Sequence, residues 1–225
     1  MSAAAGALAV AADATRIEAR ALSHRYGPRV GLAPVVFAWQ GPGVVAVTGA
    51  NGAGKSTLLR ILAGLLKPSH GELHLTRGGR ALDAAQRRHA IGFASPELAF
   101  YPELSALENL SFAAAAAGAH HPAALARAAL ERVQLAARGH DRVAALSSGL
   151  VQRLRLAFAL LHAPALVLLD EPGSHLDDEG RALLGGLVAD AAGTALVVIA
   201  TNDEREWRLA RERVELRGRD VGPAA

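Results

Sequence analysis

Short apolar runs, polar turns and longer amphipathic stretches divide this chain into a β-rich beginning, a helical middle and a return to strands. Ile17 to Tyr26 (IEARALSHRY) and Pro34 to Gln40 (PVVFAWQ) read as two strands joined by a turn at Gly27-Pro28. Gly41-Pro42-Gly43 turns the chain into Val44-Val45-Ala46-Val47, an apolar run of the kind a buried strand shows. Ser56 to Ala63 reads as a helix that ends at Pro68-Ser69-His70-Gly71, and Glu72 to Thr76 with Gly78-Gly79 predicts a short hairpin. Ala81 to His89 is a polar segment before a strand at Ile91-Gly92-Phe93-Ala94.

From Leu104 to Leu161 the strand signals vanish. Ser105, with Glu108 three residues on, predicts a helix start closed by a capping box. The alanines from Ala113 to Ala117 have high helix propensity but little to pack. His120-His121-Pro122 breaks that helix, and Ala123 to Ala137 predicts the next one. Two later runs, Leu166 to Leu169 and Ala195 to Ala200, are apolar throughout and flank a helical pattern over Asp177 to Ala191. Such strands argue for a parallel sheet covered on both faces. Asp203 to Arg213 has a charged helical pattern, and Arg213 to Leu216 alternates like an edge strand.

Length and composition narrow this picture. A chain of 225 residues makes one large domain or two small lobes. With no cysteine, disulfides and thiolate metal sites are excluded. The net charge of +3 comes from arginines scattered among acids, so no nucleic-acid surface is indicated. Met1 to Ala14 lacks the basic start of a signal peptide, and residues 1–16 are expected to form a frayed tail before one domain over 17–225. The best apolar run, Leu156 to Leu169, contains His162 and Pro164 and falls short of the roughly 18 residues a membrane span needs. If the protein works at a membrane, another chain supplies the span.

The most specific chemistry lies in Gly49-Ala50-Asn51-Gly52-Ala53-Gly54-Lys55-Ser56-Thr57, which fits the phosphate-loop pattern G-x-x-x-x-G-K-[ST]. Strand, glycine-rich turn and helix together aim backbone N–H groups and the positive helix end at one point, which is an anion site. Lys55 is placed to reach the β and γ phosphates and Ser56 to ligate Mg²⁺. A mere helix-starting glycine turn would not require Lys-Ser after the last glycine, so the chain is expected to bind a nucleoside triphosphate. Further on, the run Leu166 to Leu169 ends in Asp170-Glu171. In a phosphate-loop protein, Asp170 suits Mg²⁺ and Glu171 suits the orientation and deprotonation of an attacking water. Leu146 to Arg153 (LSSGLVQR) offers Ser147 and Ser148 as caps of a helix and Gly149 for close backbone approach. Alone it is only a capped helix. The histidine pair His120-His121 has no third ligand at helical spacing and reads as a solvated loop.

In this order the phosphate loop, Leu146 to Pro172 and Ser174-His175-Leu176-Asp177 resemble the ATP-binding subunit of an ABC transporter, over nearly the whole chain from Ile17. The resemblance implies an α/β fold: a RecA-like phosphate-loop core with a mainly parallel sheet, an N-terminal antiparallel β subdomain and a helical subdomain at about 97–161. It implies ATP and Mg²⁺ as ligands, and a head-to-tail homodimer in which Ser147, Ser148 and Gly149 of one copy face the γ-phosphate held by the other. Asp177 then crosses the interface, and Tyr26 stacks on adenine. The implied partner is an integral membrane transporter subunit, with this chain cytoplasmic and peripheral on the inner face of the membrane.

Two departures stand out. Where the family usually has glutamine, Ile91 to Pro102 places Pro96, which has no side-chain hydrogen-bonding group, leaving Ser95 or Glu97 to substitute. Where the family usually has histidine, this chain has Asn202, which can donate a hydrogen bond but not shuttle a proton. Lys55, Asp170 and Glu171 are all present, so hydrolysis is expected to be slower rather than absent. Within the family, Tyr101 to Leu110 is similar to the ATPase of the haem exporter of cytochrome c maturation and to small export-type ATPases. The leading expectation is an ATPase driving a membrane exporter, with Phe93, Leu98, Phe100 and Tyr101 as anchors for the partner. The alternatives are a degenerate half of a heterodimer, a soluble ABC-type ATPase acting on ribosomes or DNA, and a phosphate-loop small-molecule kinase. The last leaves LSSGLVQR without a purpose.

Overall fold

A computed structural model describes residues 14–216. Its strands form two sheets. The first is antiparallel, with order β2-β1-β4-β5 from β1 (Thr15–Tyr26), β2 (Arg29–Gln40), β4 (His70–Arg77) and β5 (Arg80–Ala81). The second is parallel, with order β6-β7-β8-β3-β9 from β3 (Gly43–Thr48), β6 (Ile91–Ala94), β7 (Leu166–Asp170), β8 (Leu196–Ala200) and β9 (Glu212–Glu215). This is the α/β architecture that the buried apolar runs predict, since β7 and β8 are buried at every residue.

The first sheet starts at Thr15, two residues before the expected domain start at Ile17. Thr15 pairs with Arg77, and Arg16 with Thr76 and Gln40, because β2 and β4 offer partners on both sides. Residues 1–13 of the Ala-rich start lie outside the described residues. Along β1, Ile17 and Ala19 point inward while Arg16 and Arg20 stay exposed. On β2, Phe37 and Trp39 face the same core with their rings stacked 3.7 Å apart. Helix α1 (Lys55–Leu62) lies between the two sheets, and Leu58, Leu59, Ile61 and Leu62 join Ile17, Trp39 and Val45 in one apolar cluster.

Helix α1 has the length predicted over Ser56 to Ala63, shifted one residue toward the N-terminus. Gly64 takes a left-handed backbone at φ 73°, and the amide of Leu65 closes on Arg60 O at 2.9 Å. Glycine supplies the conformation that ends a helix, so α1 stops before Pro68. The polar segment Ala81 to His89 contains α2 (Ala84–Ala90), opened by an Asp83/Gln86 capping box. The same Asp-x-x-Gln spacing is readable in the sequence.

Helices α3 (Ala106–Ala116), α4 (Pro122–Arg132) and α5 (Ser148–Leu160) fill the expected helical segment. Ser105 caps α3 and its capping box with Glu108 is closed. The alanine run does pack: Ala114 is fully inside the helical core. Helix α4 ends at Arg132 rather than continuing to Ala137, with Gln134 at φ 54° and a 3₁₀ turn at Ala136–Arg138. Helix α5 packs on β6 and β7 as well as on α3 and α4, so it is the wall shared by the helices and the sheet.

After α6 (Asp178–Ala192) and β8, the charged stretch from Asp203 yields only α7 (Glu204–Trp207). The free edge of β3 then draws the chain into β9: Arg211 N reaches Val44 O, and Val45 pairs with Glu212. Among the described residues no helix is long and apolar enough to cross a membrane.

Candidate nucleotide site

Parallel register brings the carboxyl ends of three strands to one edge of the sheet. Asp170 at the end of β7 pairs with Ala200 at the end of β8, and Ala200 pairs with Val47 of β3. The loops that follow carry Glu171, Asn202 and the phosphate loop, at the place where open α/β sheets bind ligands.

Within the phosphate loop, two glycines are required by space as well as by conformation. At Gly49, φ 141°, an added Cβ would lie 2.5 Å from Leu216 O. At Gly54, φ 104°, it would lie 2.6 Å from Gly31 O. Gly54 occupies the N-cap of α1 without any side-chain cap, so the first-turn amides face outward for an anion. Lys55 is only 7% exposed. Its Nζ donates to Gly49 O at 2.8 Å and lies 3.8 Å from Glu171 Oε1, which holds the cation inside the curve of the loop.

Asp170 is buried and its Oδ1 has no hydrogen-bond partner. Burial pushes its carboxyl above the usual carboxylate range, while the hydrogen bond from Ser56 and the charges of Arg60 and Lys55 pull it down. An unpartnered carboxylate oxygen next to a serine hydroxyl is a hard-oxygen donor pair that fits Mg²⁺, an ion that completes its shell with water and phosphate. Glu171 is half-buried, and its carboxyl is also raised, first by burial and against the pull of Lys55. Its backbone is left-handed at φ 47°, held by its amide donating to Ala200 O at 2.8 Å. A non-glycine residue in that region costs about 1–3 kcal/mol.

A cavity of about 430 Å³ opens in front of these groups, with Tyr26, Arg29, Gly31, Lys55, Arg60 and Glu171 in its wall. Asn51, Gly52, Gly54, Ser56 and Thr57 of the phosphate loop complete the wall. Tyr26 is 43% exposed, with its ring laid over Gly31 and edge-on to His24 at 4.5 Å. A Cβ at Gly31 would lie 2.6 Å from the Tyr26 ring, so that glycine makes the seat for the aromatic. Gly49, Ala50 and Asn202 border a neighbouring cavity of about 250 Å³ behind the loop, while Ala53 is buried beneath it.

The remaining predicted residues form a separate group. Ser147 caps α5 by accepting from Leu150 N at 3.4 Å, and Ser148 is the first residue of that helix. A Cβ at Gly149 would lie 2.9 Å from His175 O, so this segment touches the Ser174–Asp177 loop. Asp177 caps α6 by accepting from Gly180 N at 2.8 Å. None of these four lines the 430 Å³ cavity.

Sequence reasoning missed Arg29, Gly31 and Arg60. Arg60 stands four residues after Ser56 on the same helix face, a spacing that was available. Arg29 pairs with Tyr26 across the two-residue turn, which sets both side chains on one rim. At the departure from the family pattern, Pro96 O accepts from Arg155 Nη2 at 2.9 Å, and Glu97 is ion-paired with Arg60. Of the expected partner anchors, Phe93 and Phe100 pack against the core, Phe100 edge-on to Phe158, and Leu98 is partly buried. Tyr101 is exposed and meets Phe112, also exposed and not foreseen, with ring centroids 5.7 Å apart.

The family model for ABC transporters matches residues 32–174. The chain is 38% identical to the lipoprotein-releasing system ATP-binding protein LolD of Nitratidesulfovibrio vulgaris, covering 79% of this chain and 80% of that one. It is 38% identical to the aliphatic sulfonates import ATP-binding protein SsuB 2 of Burkholderia lata, over 88% of this chain and 71% of the relative. Among solved structures, the ATP-binding cassette MJ0796, dimeric in a post-hydrolysis state with ADP and Pi, matches with a TM-score of 0.77. It is 26% identical, and the match covers 89% of this chain and 94% of that one. With strand, loop and acidic pair in the arrangement described above, the chain belongs to the ABC transporter family and is an ATP-hydrolysing cassette of it.

Proposed function

We propose that this chain binds MgATP in the 430 Å³ cavity and hydrolyses it to drive a separate integral membrane subunit, as a head-to-tail homodimer on the inner face of the membrane. The observation that carries the reading is the meeting of Lys55, Glu171 and the Asp170–Ser56 pair at one end of a cavity whose other end is Tyr26. That spacing suits a nucleotide with its base on the tyrosine and its phosphates on the loop.

In this reading Gly49 to Thr57 hold the phosphates by backbone amides, and Lys55 swings from Gly49 O to the β and γ oxygens. Ser56 and Asp170 hold Mg²⁺, which when bound neutralises charge on the phosphoryl oxygens. Glu171 accepts the proton of the attacking water; its raised affinity for protons makes it a better base. Asn202 donates a hydrogen bond to the γ-phosphate. Ser147, Ser148 and Gly149 act on the second copy's nucleotide, which accounts for their distance from this cavity. Asp177, in the loop they touch, links the two sites.

Relatives named for lipoprotein release and for sulfonate import share this cassette. The cargo and its direction are accordingly properties of the membrane subunit, and export rests on the release-type relative and on the Tyr101 to Leu110 segment. The exposed Tyr101–Phe112 pair is the docking surface for that subunit. The reading is tested by co-purifying the tagged chain from detergent-extracted membranes and measuring ATP hydrolysis. Replacing both aromatics with serine should release the membrane subunit and leave basal hydrolysis unchanged. Retention of the subunit would place docking elsewhere.

A further inference from the structure

Glu206 is a buried carboxylate that the nucleotide site does not use. It lies on α7 and is 5% exposed, with Oε2 lacking any hydrogen-bond partner. Its oxygen Oε1 stands 2.1 Å from where a Cβ at Gly173 would be. The Thr201 hydroxyl and the Gly173 amide hydrogen-bond to the carboxylate. Thr201 is itself fully buried, and its Oγ1 also accepts from Asp203 N at 2.9 Å.

These contacts join two loops from different strands. Gly173 lies two residues after Glu171, in the loop leaving β7, and the amide of Ser174 closes back on Glu171 O at 3.1 Å. Thr201 is the first residue after β8 and precedes Asn202. The charged groups around Glu206 are Asp203 and Arg205 on its own segment, Arg181 from α6 and Glu171 itself. Glu171 is left-handed, and its loop is held by the Ala200 O and Ser174 N hydrogen bonds together with the packing of Glu206 against Gly173.

We propose that Glu206 is a positioning residue for Glu171: its carboxylate occupies the place of the side chain that Gly173 lacks and clamps the Glu171–Ser174 loop to the end of β8. The inference rests on the reading that Glu171 activates water. Glu206→Gln keeps an acceptor oxygen for Gly173 N–H and Thr201 and should retain most of the hydrolysis rate. Glu206→Ala removes the clamp, and kcat should fall about 10- to 100-fold, the scale of an ångström's misplacement. KM for ATP and the melting temperature should change little by comparison. Gly173→Ala displaces the carboxylate and should cost a similar factor, and the two alanine changes together should cost no more than one alone.

Hydrogen exchange over residues 171–176 gives a readout independent of turnover: Glu206→Ala should accelerate it and Glu206→Gln should not. Unchanged exchange in Glu206→Ala, or losses in the double variant that multiply, would overturn the clamp. If the parent protein hydrolyses no ATP, the water-activation reading fails, while the exchange experiment still decides whether Glu206 holds the loop.

Discussion

The side-chain amide of Asn202 donates to Asn51 Oδ1 at 3.0 Å, tying the loop after β8 to the phosphate loop after β3. An imidazole at this position adds a group that carries charge near pH 7. A charge-assisted hydrogen bond to phosphate exceeds a neutral one by about 1 kcal/mol, or roughly fivefold in rate. Asn202→His should therefore raise kcat by about that factor in a steady-state ATPase assay. Asn202→Ala should lower it and leave the Kd for ATP nearly unchanged.

Glu171→Gln keeps the size of the side chain and removes the proton acceptor. Hydrolysis should fall about 10²- to 10⁴-fold, the usual contribution of a positioned base. Binding of MgATP should persist, and light scattering should show a dimer with ATP that dissociates with ADP. A monomer under both conditions would mean that the second copy is not recruited by nucleotide alone.

The end of the cavity away from the phosphate loop has an aromatic face and a cation that makes no ion pair among the described residues, Tyr26 and Arg29. Stacking of a base on an aromatic ring is worth about 1–3 kcal/mol. Tyr26→Ala should weaken binding of a fluorescent ATP analogue by about tenfold or more, whereas Tyr26→Trp should preserve it. Arg29→Ala should weaken binding and flatten its dependence on salt, because a screened charge is lost.

Asp203 controls an acid-sensitive contact. Hydrogen bonds from the Arg205 side chain and backbone, helped by the Arg205 and Arg181 charges, hold its carboxyl down at about 2. Its Oδ2 lies 2.8 Å from Arg181 Nη1 and 2.9 Å from Arg205 Nη2. A carboxyl depressed by folding stabilises the folded state above its ordinary pKa, and that stability is lost as pH falls through the folded value. Asp203→Asn should therefore melt about 2–4 °C below the parent at pH 7. The gap should close between about pH 4 and pH 2 in thermal scans.

Much of the architecture is readable from patterns alone, because β7 and β8 are buried at every residue and leave no alternation to confuse with a helix. The phosphate loop and Asp170-Glu171 are equally legible, since each is contiguous in the chain. What escapes is set by neighbours. The stretch after Asp203 gives up its helical pattern to the open edge of β3. Arg29 enters the site because β1 and β2 pair in a particular register, and Glu206 because β8 ends beside Gly173. Such meetings between distant segments have no signature in either segment.

The contact between Gly31 and Gly54 has a consequence for how a nucleotide is measured. Gly54 begins α1 and Gly31 seats the Tyr26 ring, yet they meet backbone to backbone with no room for a methyl group on Gly54 between them. The antiparallel sheet therefore rests directly on the loop it faces, like the fixed jaw of a caliper. The distance from aromatic ring to phosphate cradle is set by main chain, not by side chains that repack. An alanine at Gly54 would open the jaw and one at Gly31 would push the Tyr26 ring off its seat, so that a ligand could reach the ring or the cradle but not both at their proper spacing.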